Sequence, residues 1–273
     1  MKIIIIGAGN LATNLGKALQ SAGHDICQVY SRTQQSAEML AAQLHCAFTT
    51  DLHSVGTDAD VYIFSVKDSC LADLIPVVCK GREEKVFCHT AGSMPMDVFK
   101  GMALHYGVIY PMQTFSRQRE VDFRAIPCFL EASDPLTEST LQSLAISVSE
   151  RVMWISTEQR RYLHVSAVFA CNFVNHCYAM ASDLLEKQHI PFDVLLPLID
   201  ETASKVHALP PAEAQTGPAV RYDENVIRAQ GSLLQGVNPA LKDIYDRMSM
   251  SIHTQAEQRA KQQKTETSKQ EEI

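Results

Sequence analysis

The chain opens with Met1-Lys2-Ile3-Ile4-Ile5-Ile6-Gly7-Ala8-Gly9-Asn10-Leu11-Ala12, an apolar run that breaks into a Gly-x-Gly-x-x-Ala turn. Four consecutive β-branched residues are typical of a strand buried on both faces. Gly7 permits a tight turn, Gly9 lets the backbone approach a pyrophosphate, and Ala12 allows close packing of the next helix, whose free N–H groups face the phosphates. The turn follows a strand and opens an amphipathic stretch, so we predict a dinucleotide site formed by Gly7, Gly9, Asn10 and Leu11.

The composition limits the partners of the protein. Of 273 residues, 46% are hydrophobic and 20% are charged, which is typical of a globular protein. A net charge of -7 argues against nucleic-acid and anionic-membrane partners. No run is long enough to span a membrane and no signal-peptide pattern precedes the first strand, so we expect a cytoplasmic protein. The eight cysteines contain no Cys-x-x-Cys pair, which predicts reduced core residues and no metal site.

Strand and helix signals alternate through the first half of the chain. The further strand signals are Asp25–Tyr30, Cys46–Thr49, Asp60–Val66, Lys85–His89, Ala103–Tyr110, Pro127–Glu131 and Val152–Ile155, with a covering helix at Leu136–Ser149. Such alternation is typical of a parallel, doubly wound sheet. We therefore predict an α/β fold with a Rossmann-like dinucleotide-binding domain over residues 1–156.

The alternation of strand and helix signals ends near Glu158, and only helical patterns follow. A long apolar stretch at Tyr162–Leu185 predicts a buried helix, and further helical patterns follow at Phe192–Ala208, Tyr222–Leu234 and Pro239–Arg259. We predict an all-α C-terminal domain over residues 157–253. Residues 254–273 are almost entirely polar and cannot repay the entropy of ordering, so we expect a disordered tail.

Ser31-Arg32-Thr33 follows the second predicted strand and bears on the choice of cofactor. An acidic side chain here would bind the ribose 2′-hydroxyl of NAD, whereas hydroxyls and a guanidinium can bind a 2′-phosphate. We therefore predict NADP(H), the alternative being an arginine in a solvated loop. The fourth strand ends in Ser65-Val66-Lys67 at the same edge of the sheet, where we expect these residues to line the cofactor; Lys67 could equally be a solvent-exposed loop residue.

Polar side chains interrupt the apolar helix of the second domain. His164 and Asn172 lie roughly 12 Å apart along a helix axis, so they could flank one small substrate without touching each other. Taken singly, each could instead be a buried polar group with a hydrogen-bond partner. His89 and Ser93 follow the fifth strand, where the nicotinamide end of a cofactor should lie. They could bind or protonate substrate, or His89 could cap a helix.

Four strings resemble those of NADP oxidoreductases that join a Rossmann-like domain to a helical domain of unknown function. They are residues 89–93, residues 107–115, residues 164–172, and Thr216-Gly217-Pro218 with Arg221 and Asp223. That group is related to pyrroline-5-carboxylate reductase, 6-phosphogluconate dehydrogenase and the β-hydroxyacid dehydrogenases. It often has histidine where this chain has Tyr110 and glycine where it has Tyr222.

The resemblance implies an oxidoreductase, a substrate cleft to which Gln113, Thr216 and Arg221 contribute, and a homodimer formed through the helical domain. Arg221 could instead pair with Asp223 or Glu224 on the surface. The β-hydroxyacid dehydrogenases carry a catalytic lysine on the equivalent helix, and this chain has none between Tyr162 and Met180. His164 is the substitute as proton donor, since its ordinary pKa is near neutrality. Asn172 would then orient the substrate.

The prediction is an NADP(H)-dependent oxidoreductase that transfers a hydride to or from a small keto acid, hydroxy acid or cyclic imine. Two alternatives remain open at this point. One is an NADP(H)-binding sensor without turnover, which the missing lysine favours. The other is a purely structural chain, for which the glycine turn and Ser31-Arg32-Thr33 would have to be coincidental.

Overall fold

The structure is a computed structural model that describes residues 1–116, 119 and 121–271, except for the side chains of residue 264 and residues 266–271. The chain divides into two compact units, Met1–Phe173 and Val174–Ile273. The first unit extends past the expected boundary at residue 156. The reason is that Arg160 and His164, on the next helix, bond to residues of the sheet.

Within the described residues, the first unit is built on one sheet of eight strands in the order β3-β2-β1-β4-β5-β6-β7-β8. The strands are β1 (Lys2–Ile6), β2 (Asp25–Tyr30), β3 (Ala47–Thr49), β4 (Val61–Phe64), β5 (Val86–His89), β6 (His105–Pro111), β7 (Cys128–Ala132) and β8 (Val152–Trp154). All neighbours pair in parallel except β6 and β7, which are antiparallel. The predicted Rossmann-like α/β class is confirmed.

Helices cover both faces of the sheet. They are α1 (Asn10–Ser21), α2 (Gln34–Leu44), α3 (Leu71–Cys79), α4 (Pro135–Val148) and α5 (Thr157–Ala167). Alternate residues of β1 point to opposite cores: Ile3 and Ile5 pack with α1, α2 and α4, while Ile4 and Ile6 pack on the other face with Tyr62 and Phe64. Because β1 is flanked by β2 on one side and β4 on the other, the chain reverses direction across the sheet there, and a crevice opens at the carboxyl ends of these strands.

The predicted helix at Tyr162–Leu185 is three connected segments, namely α5, a π-helical turn at Val168–Phe173, and α6 (Val174–Glu186). The expectation that it is buried is wrong for the single chain, in which Tyr162 is 68% exposed and Phe169 is 65% exposed. An apolar helix surface indicates that something covers it, but the pattern does not say whether the cover belongs to the same chain.

The second unit is helical throughout the residues that the structure describes. Its α-helices after α6 are α7 (Leu196–Ala208), α8 (Pro211–Ala214), α9 (Pro218–Arg221), α10 (Glu224–Val237) and α11 (Pro239–Glu271). The tail that we expected to be disordered instead continues α11 as far as Glu271. Its Gln, Lys and Glu residues are good helix formers, so a helix already begun at Pro239 can extend through them.

Two further expectations concern membranes and cysteines. Among the described residues, no helix is both long and apolar enough to cross a membrane. Each of the eight cysteines is described and free; Cys79, Cys88 and Cys128 are buried, whereas Cys171 is exposed and the other four are partly exposed. The expected burial therefore holds for only three of them. The described residues contain no group of three His, Cys, Asp or Glu side chains that could hold a metal ion.

Candidate functional site

A cleft of about 920 Å³ lies at the carboxyl ends of the central strands of the first unit. This volume is in the range of small-molecule and cofactor sites. The structure brings together in it these predicted residues: Gly7, Gly9, Asn10, Leu11, Ser31, Arg32, Ser65, Val66, Lys67, Gln113 and His164. The cleft therefore joins the predicted cofactor residues to one of the predicted catalytic residues.

The glycine turn between β1 and α1 forms the floor of the cleft. Gly7 has a φ of 121°, and a Cβ atom there would lie 2.1 Å from the carbonyl oxygen of Ser65, so only glycine fits. A Cβ atom on Gly9 would meet nothing within 4 Å, which leaves space above the start of α1. The first turn of α1 has no acidic residue and no side-chain cap among the described residues, so its N–H groups can face an anion. These features fit a dinucleotide pyrophosphate.

The loop after β2 supplies hydroxyl and guanidinium donors to the same cleft. Ser31 and Arg32 line it, and Arg32 forms no ion pair with any described residue. Thr33 does not line the cleft and instead precedes the first residue of α2. Ser36, in the first turn of α2, lines the cleft and was missed by the sequence interpretation. The signal that could have identified Ser36 is its hydroxyl, which lies four residues after Arg32 at the start of a helical pattern.

The segment after β4 forms another wall of the cleft. Ser65, Val66 and Lys67 line it as predicted. Five residues that were not predicted continue the wall: Asp68, Ser69, Cys70, Asp73 and Leu74. Asn10 lines the cleft but donates its side-chain amide to the carbonyl of Phe115 (2.9 Å), so it also anchors the chain after β6.

His89 does not reach the cleft. Its side chain is fully buried and stacks on Phe99, Nε2 lies 3.2 Å from the carbonyl oxygen of Pro95, and Nδ1 accepts a hydrogen bond from the N–H of Ala91 (3.1 Å). Burial lowers the pKa of His89 to about 4. Both ring nitrogens are thus engaged by the chain that follows β5, and we correct the catalytic interpretation of His89 to a structural role.

Ser93 is also not in the cleft lining. Its hydroxyl donates to the carboxylate of Asp68, which ties the segment after β5 to the segment after β4. Ser93 is exposed, and its carbonyl oxygen accepts a hydrogen bond from Nε of Arg161 (3.0 Å). The structure therefore gives Ser93 bonds that hold the loop together, whereas the sequence suggested contact with substrate.

A buried ion pair also bonds to the segment after β5. The buried guanidinium of Arg160 on α5 pairs with Glu131 on β7 and donates to the carbonyl oxygen of Met94. Glu131 also accepts a hydrogen bond from the N–H of Thr157 (3.0 Å), at the start of α5. Sequence reasoning missed this pair because its two members lie on different elements. It positions α5, and with it His164, against the sheet.

His164 faces the cleft from α5. Its Nδ1 lies 3.0 Å from the hydroxyl of Tyr110 on β6, and both residues line the cleft. Burial raises the pKa of Tyr110. Asn172 lies on the π-helical turn, is exposed, and is not among the described residues that line the cleft. The structure therefore pairs His164 with Tyr110, a residue that the sequence analysis noted only as a departure from the resembling group.

Thr216 and Arg221 lie in the second unit, before and at the end of α9, and both are exposed. Arg221 forms no ion pair with any described residue, since Glu224 pairs with Arg228 and Asp223 accepts a hydrogen bond at the start of α10. Tyr222 has a φ of 51° and stacks on His253 at 4.3 Å. Glycine adopts this left-handed conformation readily, which gives a physical reason for the glycine of the resembling group.

Two family models match the chain. Residues 2–88 match the family described as NADP oxidoreductase, coenzyme F420-dependent, and residues 126–252 match a domain of unknown function (DUF2520). No curated protein matches the chain.

Solved structures match over nearly the whole chain. One from Bacteroides fragilis, described as a "putative NADP oxidoreductase", is 54% identical, with a TM-score of 0.89 over 93% of this chain and 98% of that one. An imine reductase from Myxococcus stipitatus in complex with NADP+ is 14% identical, with a TM-score of 0.67 over 96% and 94% of the two chains. A pyrroline-5-carboxylate reductase from Coxiella burnetii is 16% identical, with a TM-score of 0.57 over 94% and 97%. The last two show likeness of fold alone.

Proposed function

We propose, on the premise that this chain belongs to the family of NADP oxidoreductases with a Rossmann-like N-terminal domain and a C-terminal domain of unknown function, that it is an NADP(H)-dependent enzyme acting on a small molecule. The observation that carries the proposal is the common cleft. The glycine turn, Arg32 and His164 all line one cavity, so a bound dinucleotide and a titratable group would share the same space.

The phosphorylated cofactor is favoured by the chemistry of the residues after β2. Ser31, Arg32 and Ser36 offer two hydroxyls and a guanidinium, with no carboxylate in the loop itself. A guanidinium without an ion-pair partner among the described residues is free to bind a 2′-phosphate. The N–H groups at the start of α1 would hold the pyrophosphate, and Gly9 leaves the room for it.

When bound, the nicotinamide supplies a hydride donor or acceptor at its C4 atom. His164 would give a proton to the carbonyl oxygen or imine nitrogen whose carbon is reduced, or take one from a hydroxyl or amine that is oxidised. Tyr110 and Gln113 would line the same end of the cleft. Keto acids, hydroxy acids and cyclic imines are the proposed substrates, and the imine and pyrroline-5-carboxylate reductases of similar fold make cyclic imines worth testing first.

A second copy of the chain is the proposed cover for the apolar surface of α5 and the π-helical turn. We define this surface, the α5 stripe, as Tyr162, Val165, Phe169 and Phe173, which lie three to four residues apart and are all exposed in the single chain. Phe169 and Phe173 pack edge to face at 5.0 Å. A helix face of this kind is typical of an interface between subunits, so we propose a homodimer.

The proposed function is tested by a screen of keto acids, hydroxy acids, cyclic imines and coenzyme F420 for oxidation of NADPH or reduction of NADP+. The His164→Ala variant is expected to bind NADPH and lose turnover about 10²-fold or more. His53→Ala, a change of an exposed histidine outside the cleft, is the matched control and should keep full activity. Tight NADPH binding without turnover on any compound would favour the sensor. Absence of NADPH binding would overturn the proposal.

A further inference from the structure

We infer that the hydroxyl of Tyr110 holds the imidazole of His164 in the tautomer that carries its proton on Nε2, so that His164 presents an N–H donor to the ligand in the cleft. The inference deepens the proposed function and rests on it for the identity of that ligand. Tyr110 would act as a positioning residue, since it works through His164. Neither the family matches nor the sequence motifs assign it this role.

The hydrogen-bonding capacity of the two side chains decides the tautomer. The Tyr110 hydroxyl and Nδ1 of His164 are 3.0 Å apart, and no other described residue lies within hydrogen-bond reach of that hydroxyl. If Nδ1 carried the proton, it would donate to the phenol oxygen and leave the phenol proton without an acceptor on the described chain. If the phenol donates to Nδ1, both groups are satisfied. Tyr110 is only 8% exposed, so an unsatisfied hydroxyl would be costly.

The protein contacts the imidazole of His164 on its Nδ1 side. Gly92 lies against the Nδ1, Cγ and Cβ side of the residue, because a Cβ atom on Gly92 would be 2.5 Å from Nδ1 and 2.7 Å from Cγ. Nε2, on the other side of the ring, has no hydrogen-bond partner among the described residues. The side of the imidazole that is occupied is therefore the side that bonds to Tyr110, and the other nitrogen is left for a ligand.

The charged groups near Tyr110 leave its hydroxyl protonated. Burial is the largest effect and raises the pKa of Tyr110, Arg160 on α5 lowers it, and Asp68 on the turn after β4 raises it. A phenol whose pKa lies above its ordinary value of about 10 keeps its proton at neutral pH. It can therefore act as the donor in the bond to His164.

The tautomer of His164 restricts which chemical group of a ligand can bind at Nε2. An N–H donor at Nε2 pairs with an atom that has a lone pair, such as a carbonyl oxygen, a hydroxyl oxygen or the nitrogen of a neutral imine. A protonated iminium has no lone pair on its nitrogen and could not accept this bond. For the reduction, in which His164 is the donor, the inferred substrate is therefore a carbonyl compound or a neutral imine whose acceptor atom lies at Nε2.

The experiment is ¹⁵N NMR of protein labelled at histidine, which reads the tautomer of each neutral ring directly. His164→Gln assigns the signals of His164 by their disappearance. The neutral ring of His164 in the unmodified protein is expected in the Nε2–H form, and Tyr110→Phe is expected to convert it to a mixture of both tautomers. Tyr106→Phe removes a hydroxyl from the same strand outside the cleft and should leave His164 unchanged.

The NMR spectra distinguish the inferred tautomer from the alternative. An Nδ1–H form in the unmodified protein overturns the inference, as does an unchanged tautomer in a folded Tyr110→Phe variant. If that variant does not fold, the spectrum of the unmodified protein still decides. Neither substrate nor turnover is needed, so a failed substrate screen would count against the proposed function while leaving this test intact. With a substrate at hand, Tyr110→Phe should lower kcat about tenfold and leave the Kd for NADPH unchanged.

Discussion

A methyl group on residue 92 would lie 2.5 Å from Nδ1 of His164, so position 92 must be glycine for the imidazole to lie where the structure places it. The contact joins the segment after β5 to α5, at the same ring nitrogen that bonds to Tyr110. The shape of the candidate active site therefore depends on a glycine outside the dinucleotide motif.

We predict that Gly92→Ala displaces His164 and breaks its hydrogen bond to Tyr110. Turnover should fall about tenfold or more, because a catalytic group moved by about an ångström loses its alignment. NADPH affinity, measured by fluorescence titration, should stay within about twofold. Gly236→Ala is the control: that helical position has nothing within 4 Å, so it should keep full activity and gain about 0.5–1 kcal/mol of stability. Normal turnover in Gly92→Ala would contradict the prediction.

Arg32→Gln is predicted to change the preference between cofactors. Loss of a charge-assisted hydrogen bond to the 2′-phosphate should weaken NADPH binding about 10- to 100-fold and leave NADH binding nearly unchanged. Isothermal titration calorimetry with both cofactors measures the ratio. Arg228→Gln, which removes an exposed arginine of the second unit, should alter neither affinity. Equal losses for NADPH and NADH on Arg32→Gln would rule out a phosphate-binding role for this side chain.

The buried His89 makes the stability of the protein depend on pH. Its pKa is about 4 in the folded protein and about 6.5 in the unfolded chain, so the unfolded state binds more protons between these values. The stability from the neutral ring is fully present above pH 6.5 and is lost as the pH falls towards 4, by about 3 kcal/mol.

Urea denaturation at pH 7 and pH 4 measures this loss. A His89→Gln variant cannot titrate, so the drop in its free energy of unfolding should be smaller than that of the unmodified protein by about 3 kcal/mol. His53→Gln, at an exposed histidine, controls for the loss of a histidine as such. The same drop for His89→Gln and the unmodified protein would show that His89 is not the group responsible.

Glu131→Ala is predicted to destabilise the first unit by about 3 kcal/mol, because it leaves the buried guanidinium of Arg160 without its counter-ion. Glu150→Ala removes the exposed partner of Arg124 and should cost less than about 1 kcal/mol. Chemical denaturation gives both values. A cost for Glu131→Ala no larger than that for Glu150→Ala would mean that the buried pair does not hold α5 to the sheet.

Phe169→Glu is expected to weaken the proposed homodimer about a hundredfold or more, since it places a charge in the middle of the α5 stripe. Sedimentation equilibrium of the unmodified protein and the variant measures the association constant. Leu136→Glu, at an exposed position in the first turn of α4, should leave it unchanged. A monomeric unmodified protein at micromolar concentration would contradict the dimer.

The opening motif and the positions of strands along the chain could be predicted because they depend on neighbouring residues. Ile3–Ile6 must be buried on both faces, and Gly7 must adopt a backbone conformation that other residues avoid. The signal at Asp25–Tyr30 likewise matches β2 to the residue. In each case a local pattern is sufficient, since hydrophobic periodicity, β-branched side chains and turn-forming residues act over a few residues.

The helix at Tyr162–Leu185 shows what local patterns cannot predict. Its apolar residues indicate a covered surface, and the single chain leaves much of it exposed. Residue type reports how much free energy burial would release, but not which surface supplies the cover. The same limit explains His89, whose place at the end of β5 was predicted and whose burial was not.

By itself, the sequence determined a Rossmann-like fold, a glycine turn fit for a dinucleotide and the loop of Arg32 beside it. Only the tertiary structure decided which polar residues meet. Tyr110 and His164 are 54 positions apart and come together because Arg160 holds α5 to β7, while Gly92 leaves room for the imidazole. Contacts of this kind depend on how elements pack against one another, and packing is set by the whole core, whereas the turn is set by its own few residues.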